Sequence, residues 1–313
     1  MSSIGTPAAW VGFTALVGVL LIVDLVVHRR DRKVRPREAV LWTAMWIVLA
    51  LGFDALIYVW FGAGPALEFL TGYLIEKALS IDNLFVFLVL FAYFAVPAEL
   101  QHRVLFWGIL GAMVMRALFI LAGAAMLQRF HWVLYGFGGL LLYTGIKLFV
   151  TRHAELRPGP SRLLASFQRV IPTVSTYRGG RFTVREHGRR HATPLLLALI
   201  TVEISDIVFA IDSVPAIFGV TRDPFIVYTS NIFAILGLRS LFFVLAGALE
   251  RFHYLKIGLA AVLVLIGAKM LVSDVWHVPI AASLGVVAAV LATSIVASML
   301  RRPPPAATTT ANS

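Results

Sequence analysis

Arg129-Phe130-His131 returns in the second half of the chain as Arg251-Phe252-His253, and its surroundings return with it. From each His a Gly stands five residues on (Gly136, Gly258), another fourteen on (Gly145, Gly267) and a Lys sixteen on (Lys147, Lys269). Upstream, Arg116-Ala117-Leu118-Phe119 matches Arg239-Ser240-Leu241-Phe242. The matched stretches lie in apolar runs of about 20 residues, the length of helix that crosses a bilayer. The reading is an all-α, polytopic membrane protein with a repeated unit.

Nine spans are expected: Ala8–Val27, Ala39–Phe61, Ala66–Phe94, Val104–Leu127, Trp132–Val150, Pro194–Val220, Phe225–Leu249, Leu255–Val272 and Pro279–Leu300. The repeat aligns spans three to five with spans six to eight. Three is odd, so the second copy must enter the membrane upside down. Charge agrees: alternate loops carry twenty Lys/Arg on one side against only Arg129 and Arg222 on the other. The positive-inside rule then puts the N-terminus outside and the C-terminus in the cytoplasm of a plasma (inner) membrane. Inverted repeats of this kind build many secondary transporters, whose sites lie at the repeat interface near the midplane.

The domain organisation follows. Residues 1–61 hold two N-terminal spans, 62–150 the first repeat and 151–193 a basic cytoplasmic loop. Residues 194–273 hold the second, inverted repeat, 274–300 the last span and 301–313 a disordered tail. The loop reads as a solvated connector lying along the anionic inner leaflet, with a short surface helix over 163–170 as the lesser reading. If a protein partner exists, this basic loop is where it would dock. The first apolar run lacks a basic stretch before it and a cleavage site after it, so it reads as a retained span.

The chain is 59% hydrophobic and 14% charged, with a formal net charge of +11 and no cysteine. The missing cysteine excludes disulfides, thiolate metal sites and iron–sulfur chemistry. The positive charge lies between the spans, which argues for a membrane surface and against nucleic acid.

Two acidic segments sit inside the spans that open the repeats: Glu76-Lys77-Ala78-Leu79-Ser80-Ile81-Asp82-Asn83 and Asp206-Ile207-Val208-Phe209-Ala210-Ile211-Asp212-Ser213. Each places two carboxylates six residues apart and follows the second with a small polar residue. A carboxylate at membrane depth costs ~2.5–3.5 kcal/mol on insertion scales, so a set of five (Glu76, Asp82, Glu203, Asp206 and Asp212) points to a cation pathway. Asn83, Ser80, Ser205 and Ser213 add oxygens. At 100° per residue Glu203 and Asp206 share a face, whereas Glu76 and Asp82 stand ~120° and ~9 Å apart. Either the helices unwind near 80–83 and 211–215, or the acids are successive stations on a path. Pro215 favours unwinding in the second copy, because it frees the carbonyl of Ile211 as a ligand.

Carboxylate, amide and carbonyl oxygens suit Mn²⁺, Mg²⁺ or Ca²⁺. No histidine lies beside the acids, which disfavours Zn²⁺ and Cu²⁺; His131 and His253 read as span-end residues, and Met113, Met115 and Met270 as packing. The opposing reading is an inert core in which Lys77, Arg116, Arg239, Lys147 and Lys269 neutralise the five acids one for one. Arg116 and Arg239 are also placed to hold an empty-site carboxylate during a carrier's return. Asp24, Asp54 and Glu68 are lesser candidates, Glu68 reading either as an entry ligand at the outer mouth or as an ordinary interfacial charge.

The two acidic segments, extended to Phe85 in the first and over Val202–Ala216 in the second, resemble the TerC family of integral membrane proteins, most of all its Alx-like branch. The resemblance runs from about residue 8 to about residue 300. It implies a family named for tellurium resistance, with members implicated in Mn²⁺ export, grouped with the lysine-exporter-like superfamily. It carries a role in the acidic motif onto Glu76, Asp82, Glu203, Asp206 and Asp212, with Asn83 adjoining.

The expected function is export of a divalent cation, most of all Mn²⁺, by alternating access and without an organic cofactor. The alternatives are export of another small cation or amino acid, or a role in membrane-protein assembly or metal loading with a tellurium-resistance phenotype. An enzyme is not expected, because neither a nucleophile–base pair nor a histidine-bound metal is present.

Overall fold

A computed structural model describes residues 3–27, 36–130, 132–150, 172–174, 176–186, 189–245, 254–273, 275 and 279–300. Among the described residues ten helices carry the fold: α1 (Pro7–Val27), α2 (Pro36–Phe61), α3 (Ala63–Tyr93), α4 (Ala98–Arg129), α5 (Val133–Val150), α6 (Pro194–Phe218), α7 (Pro224–Leu236), α8 (Leu238–Leu245), α9 (Leu255–Leu271) and α10 (Ile280–Leu300). Among the described residues seven segments are long and apolar enough to cross a membrane, and one of them, 224–244, combines α7 with α8. The two other expected spans are α3, which is 31 residues long but interrupted by charge, and α9, which has 17. The expected count of nine thus includes two helices that length and composition alone do not qualify.

The helices start where the sequence supplies starters. Pro36, Pro194 and Pro224 each occupy a first helical position, where no amide hydrogen is needed. Asp223 caps α7, accepting from the amides of Phe225 (2.8 Å) and Ile226 (3.4 Å). Its other oxygen accepts from the Ile4 amide at 2.7 Å, which ties the N-terminus to this turn. Gly62, with φ +86°, makes the sharp junction between α2 and α3 that a residue with a side chain rarely adopts.

Of the 224–244 crossing, 89% is buried, against 17% in the windows of α1 and α2 and 11% in α10. So α7–α8 is the axis and those three helices form the lipid-facing rim. Around the first half of α7 the rings of Phe13, Phe53, Phe69, Phe225, Tyr228 and Phe233 pack within about van der Waals reach of one another. Met113 and Met270 are buried in apolar clusters, as packing residues.

The strongest contact between the halves is α5 against α9. A Cβ on Gly267 would stand 2.8 Å from the carbonyl oxygen of Gly138, and one on Gly145 would stand 2.9 Å from that of Ala260. The repeat aligns Gly145 with Gly267 and Gly138 with Ala260, so the two contacts are the same contact seen from either copy. Residues rise along α5 as they fall along α9, which makes the equivalent helices antiparallel. Small residues let the backbones touch. Elsewhere α3 runs against α6, with Glu68 beside Thr221 and Gly72 beside Ile217. By contrast α4 runs with α6, pairing Gly108 with Val202 and Gly123 with Phe218.

Three expectations need correction. The helices do not unwind: α3 is continuous through Ser80–Asn83, and α6 passes through Pro215 to Phe218. The break falls instead at Gly237, between α7 and α8, in what reads as one span. Part of the loop is not a plain connector. Strands β1 (Thr183–Glu186) and β2 (Arg189–Ala192) form an antiparallel hairpin. Tyr177 donates to the carbonyl of Phe94 at 2.6 Å, and Thr193 donates to those of Arg181 and Phe182, which fixes the hairpin to the helix ends. Alternation in a four-residue strand rich in arginine is too short to stand out from a charged loop. The proposed surface helix over 163–170, the tail 301–313, His131 and His253 lie outside the described residues.

Candidate cation site

Arg116 lies on α4 where α3, α6 and α7 converge, and it is 1% exposed. Its guanidinium grips Asp206 with two parallel bonds, Nε donating to Oδ2 at 3.3 Å and Nη2 to Oδ1 at 3.2 Å. Nη1 donates to the carboxylate of Glu76, to Ser213 Oγ at 3.1 Å and to Asn231 Oδ1 at 3.4 Å. Glu76 is fully buried and Asp206 is 4% exposed. The fork of arginine suits such bidentate pairing, and a carboxylate this deep requires a cation.

Two negative charges face one positive charge, leaving the group at a formal −1. Two atoms of the group have no hydrogen-bond partner among the described residues, Glu76 Oε2 and Asn231 Nδ2, and Ser80 Oγ, four residues beyond Glu76 on α3, is likewise buried and unmatched. A buried polar atom without a partner carries a penalty of about 1–3 kcal/mol. The centre is therefore not a saturated structural salt bridge.

The structure separates the other expected residues. Glu203, half-buried on α6, lies over Gly111 of α4, where any Cβ would overlap its carboxylate. Asp212 turns to α5 and accepts from Thr144 Oγ1 at 3.0 Å, with Lys147 within electrostatic reach. Ser205 spends its hydroxyl on the carbonyl of Thr201, while Asn83 is buried on α3. Ile211 is 43% exposed and Pro215 lies in the α6 interior. The side chain of Asp82 lies outside the described residues. No three His, Asp or Glu side chains converge as a metal cluster among the described residues.

One-for-one neutralisation of the acids is not what is seen. Arg116 serves two of them, and Arg239 pairs with Asp24 of α1, away from the centre. Lys77 donates to the carbonyl of Ala234 at 3.2 Å, in the last turn of α7 before the Gly237 break. There it complements the negative helix end. Lys269 acts electrostatically on Glu68, whose carboxylate accepts from Thr221 at 2.5 Å. Asp54 has one buried oxygen without a partner.

Asn231 was not expected. Its signal is the polar triplet Thr229-Ser230-Asn231 inside an otherwise apolar helix. Thr229 and Ser230 bond back to their own helix, at Phe225 and Val227, so Asn231 alone of the three reaches the centre.

An acidic centre held among packed membrane helices defines an integral membrane protein with a charged core. Residues 61–304 match the integral membrane protein TerC family, and the chain belongs to it. It is 55% identical over 297 residues to an uncharacterized membrane protein, STKORF319, of Myxococcus xanthus, covering 95% of this chain and 93% of that one. It is 48% identical over 302 residues to a protein of Escherichia coli K12 provisionally described as the membrane-bound redox modulator Alx, covering 93% and 94%. A membrane protein of Rickettsia felis shares 40% over 291 residues, covering 93% and 97%. No solved structure matches the chain.

Proposed function

We propose that this protein exports a divalent cation, Mn²⁺ before Mg²⁺ or Ca²⁺, by alternating access between its two repeats. The observation that carries the reading is the oxygen set around Arg116: Glu76, Asp206, Ser213 and Asn231, contributed by three helices and buried at the repeat interface. Two carboxylates with hydroxyl and amide oxygens are the donors a hard divalent cation takes. With α3 and α6 unbroken, the remaining acids act as stations on a path: Glu203 on one side of the centre, Glu68 with Thr221 toward the other, and Asn83 and Asp212 on the flank, with Asp82 kept as a ligand on its sequence motif alone. In this reading the N-terminus lies outside and the C-terminus in the cytoplasm of the inner membrane. Export also gives a route to a redox influence of the kind in the relative's description. A chain without cysteine cannot exchange thiols itself, so the influence would pass through the ion it moves.

Mn²⁺ movement in proteoliposomes tests the proposal. Wild type is expected to carry Mn²⁺. Glu76→Gln and Asp206→Asn are expected to lower the rate at least about a hundredfold, the loss of ~2.7 kcal/mol of ligand interaction. Asp212→Asn, which leaves the centre intact, is expected to slow it less. No movement by folded wild-type protein, at any imposed pH gradient or potential, would remove the proposal. Equal effects at all three positions would leave transport standing and remove the placement of its centre.

A further inference from the structure

We infer that Arg116 is a tethered stand-in for the transported ion: it occupies the carboxylate pair when the centre is empty of metal and exchanges places with the incoming cation. The inference rests on the export reading and adds the step that resets the carrier.

The argument begins with the oxygens. One guanidinium engages most of the oxygens that a divalent cation would take at this centre: both Asp206 oxygens, one Glu76 oxygen, Ser213 Oγ and Asn231 Oδ1. Metal and guanidinium therefore cannot share the site, and binding of one is release of the other. An arginine with only a scaffolding role would be expected to saturate its surroundings. Here Glu76 Oε2, Ser80 Oγ and Asn231 Nδ2 remain unmatched although buried.

The displaced guanidinium has a seat to move to. Glu203 has no hydrogen-bond or ion-pair partner among the described residues, and its carboxylate lies over Gly111 of α4. Because α4 and α6 run in the same direction and in step, Glu203 precedes Asp206 by three residues on the same face, a rise of ~4.5 Å. A helical side chain leans toward its own N-terminus, so Arg116 leans toward Gly111 and Glu203. When metal reaches Glu76 and Asp206, the guanidinium shifts to Glu203, so all three carboxylates then face a cation. When metal departs, Arg116 returns, and the empty centre can cross the low-dielectric midplane without two bare carboxylates.

A carrier that needs its stand-in only while empty separates two kinds of flux. Net efflux requires the empty return; exchange of labelled Mn²⁺ for unlabelled Mn²⁺ does not. Arg116→Gln, purified with Mn²⁺ present, is expected to fold, because the metal balances the carboxylates that the guanidinium leaves. It is expected to bind Mn²⁺ about tenfold tighter than wild type, since its internal competitor is gone. Exchange should stay near the wild-type rate while net efflux into Mn²⁺-free medium falls about tenfold or more. Glu203→Gln, which removes the second seat, should weaken Mn²⁺ binding about tenfold. Equal or weaker binding by Arg116→Gln, equal loss of exchange and net efflux, or failure to fold in Mn²⁺ would each overturn the inference. So would unchanged binding by Glu203→Gln. Wild-type protein that neither binds nor moves Mn²⁺ marks the different failure, that of the export reading itself.

Discussion

Arg116→Met, assayed without divalent metal, is expected to be the most damaging single substitution in the helical core, lowering unfolding free energy by ~3–5 kcal/mol. It strands Glu76 and Asp206 side by side, both buried, with no cation between them. Removing an acid instead is expected to be milder. Glu76→Gln leaves the bidentate Arg116–Asp206 pair intact and offers the guanidinium an amide oxygen, at a cost of ~1–2 kcal/mol. The order, more than either magnitude, is the test. Thermal unfolding of the two purified variants in detergent gives it directly. If Glu76→Gln and Arg116→Met lower the midpoint equally, charge balance does not govern this centre.

A comparable loss is expected from Gly267→Leu at the crossing of α5 and α9. Its first side-chain carbon would lie 2.8 Å from both the Gly138 carbonyl oxygen and the Leu142 amide nitrogen. These are backbone atoms of a facing helix, and they cannot turn aside as a side chain can. The helices must separate, and overpacking of this kind costs ~1–3 kcal/mol before the remaining contacts are counted. Gly145→Leu should behave alike, because its nearest backbone atom, the Ala260 oxygen, is the symmetry-related obstacle at 2.9 Å. Gly136 on the same helix faces nothing within 4 Å. Gly136→Ala should therefore be neutral or stabilising by up to ~1 kcal/mol. Equal midpoints for Gly267→Leu and Gly136→Ala would mean that the two helices do not meet as described.

The helical architecture was legible because a bilayer imposes its length on the sequence, and runs near twenty apolar residues leave few readings. The inverted relation of the halves was legible through Gly145 and Gly267, whose equivalence reappears as a reciprocal contact. The direction of the acids was less so. Asp206 and Asp212 lie about 120° apart on an unbroken helix, and the structure turns one to Arg116 of α4 and the other to Thr144 of α5. Sequence spacing states that angle but not which neighbour stands at each end of it. Arg239 shows the same limit. It repeats Arg116 in sequence, yet its partner, Asp24, belongs to α1 outside the repeat, and nothing local to either residue signals the pairing. Pro215 misled for a physical reason. One lost amide hydrogen near the end of a well-packed helix is tolerated, whereas the true break came at Gly237.

That break has a consequence for energy. In the first copy the equivalent crossing, α4, is a single helix of 32 residues, and Val114 stands where the second copy has Gly237. A carrier assembled from two identical inverted halves would face either side of its membrane with equal probability, since each state is the mirror of the other. Here one half is a continuous helix through its middle and the other is jointed, with Lys77 of α3 bonded to Ala234 just before the joint. For the carrier proposed above, the two orientations would therefore differ in free energy, and each ~1.4 kcal/mol of that difference would bias the resting population tenfold. On that proposal, the joint gives the resting carrier a preferred side.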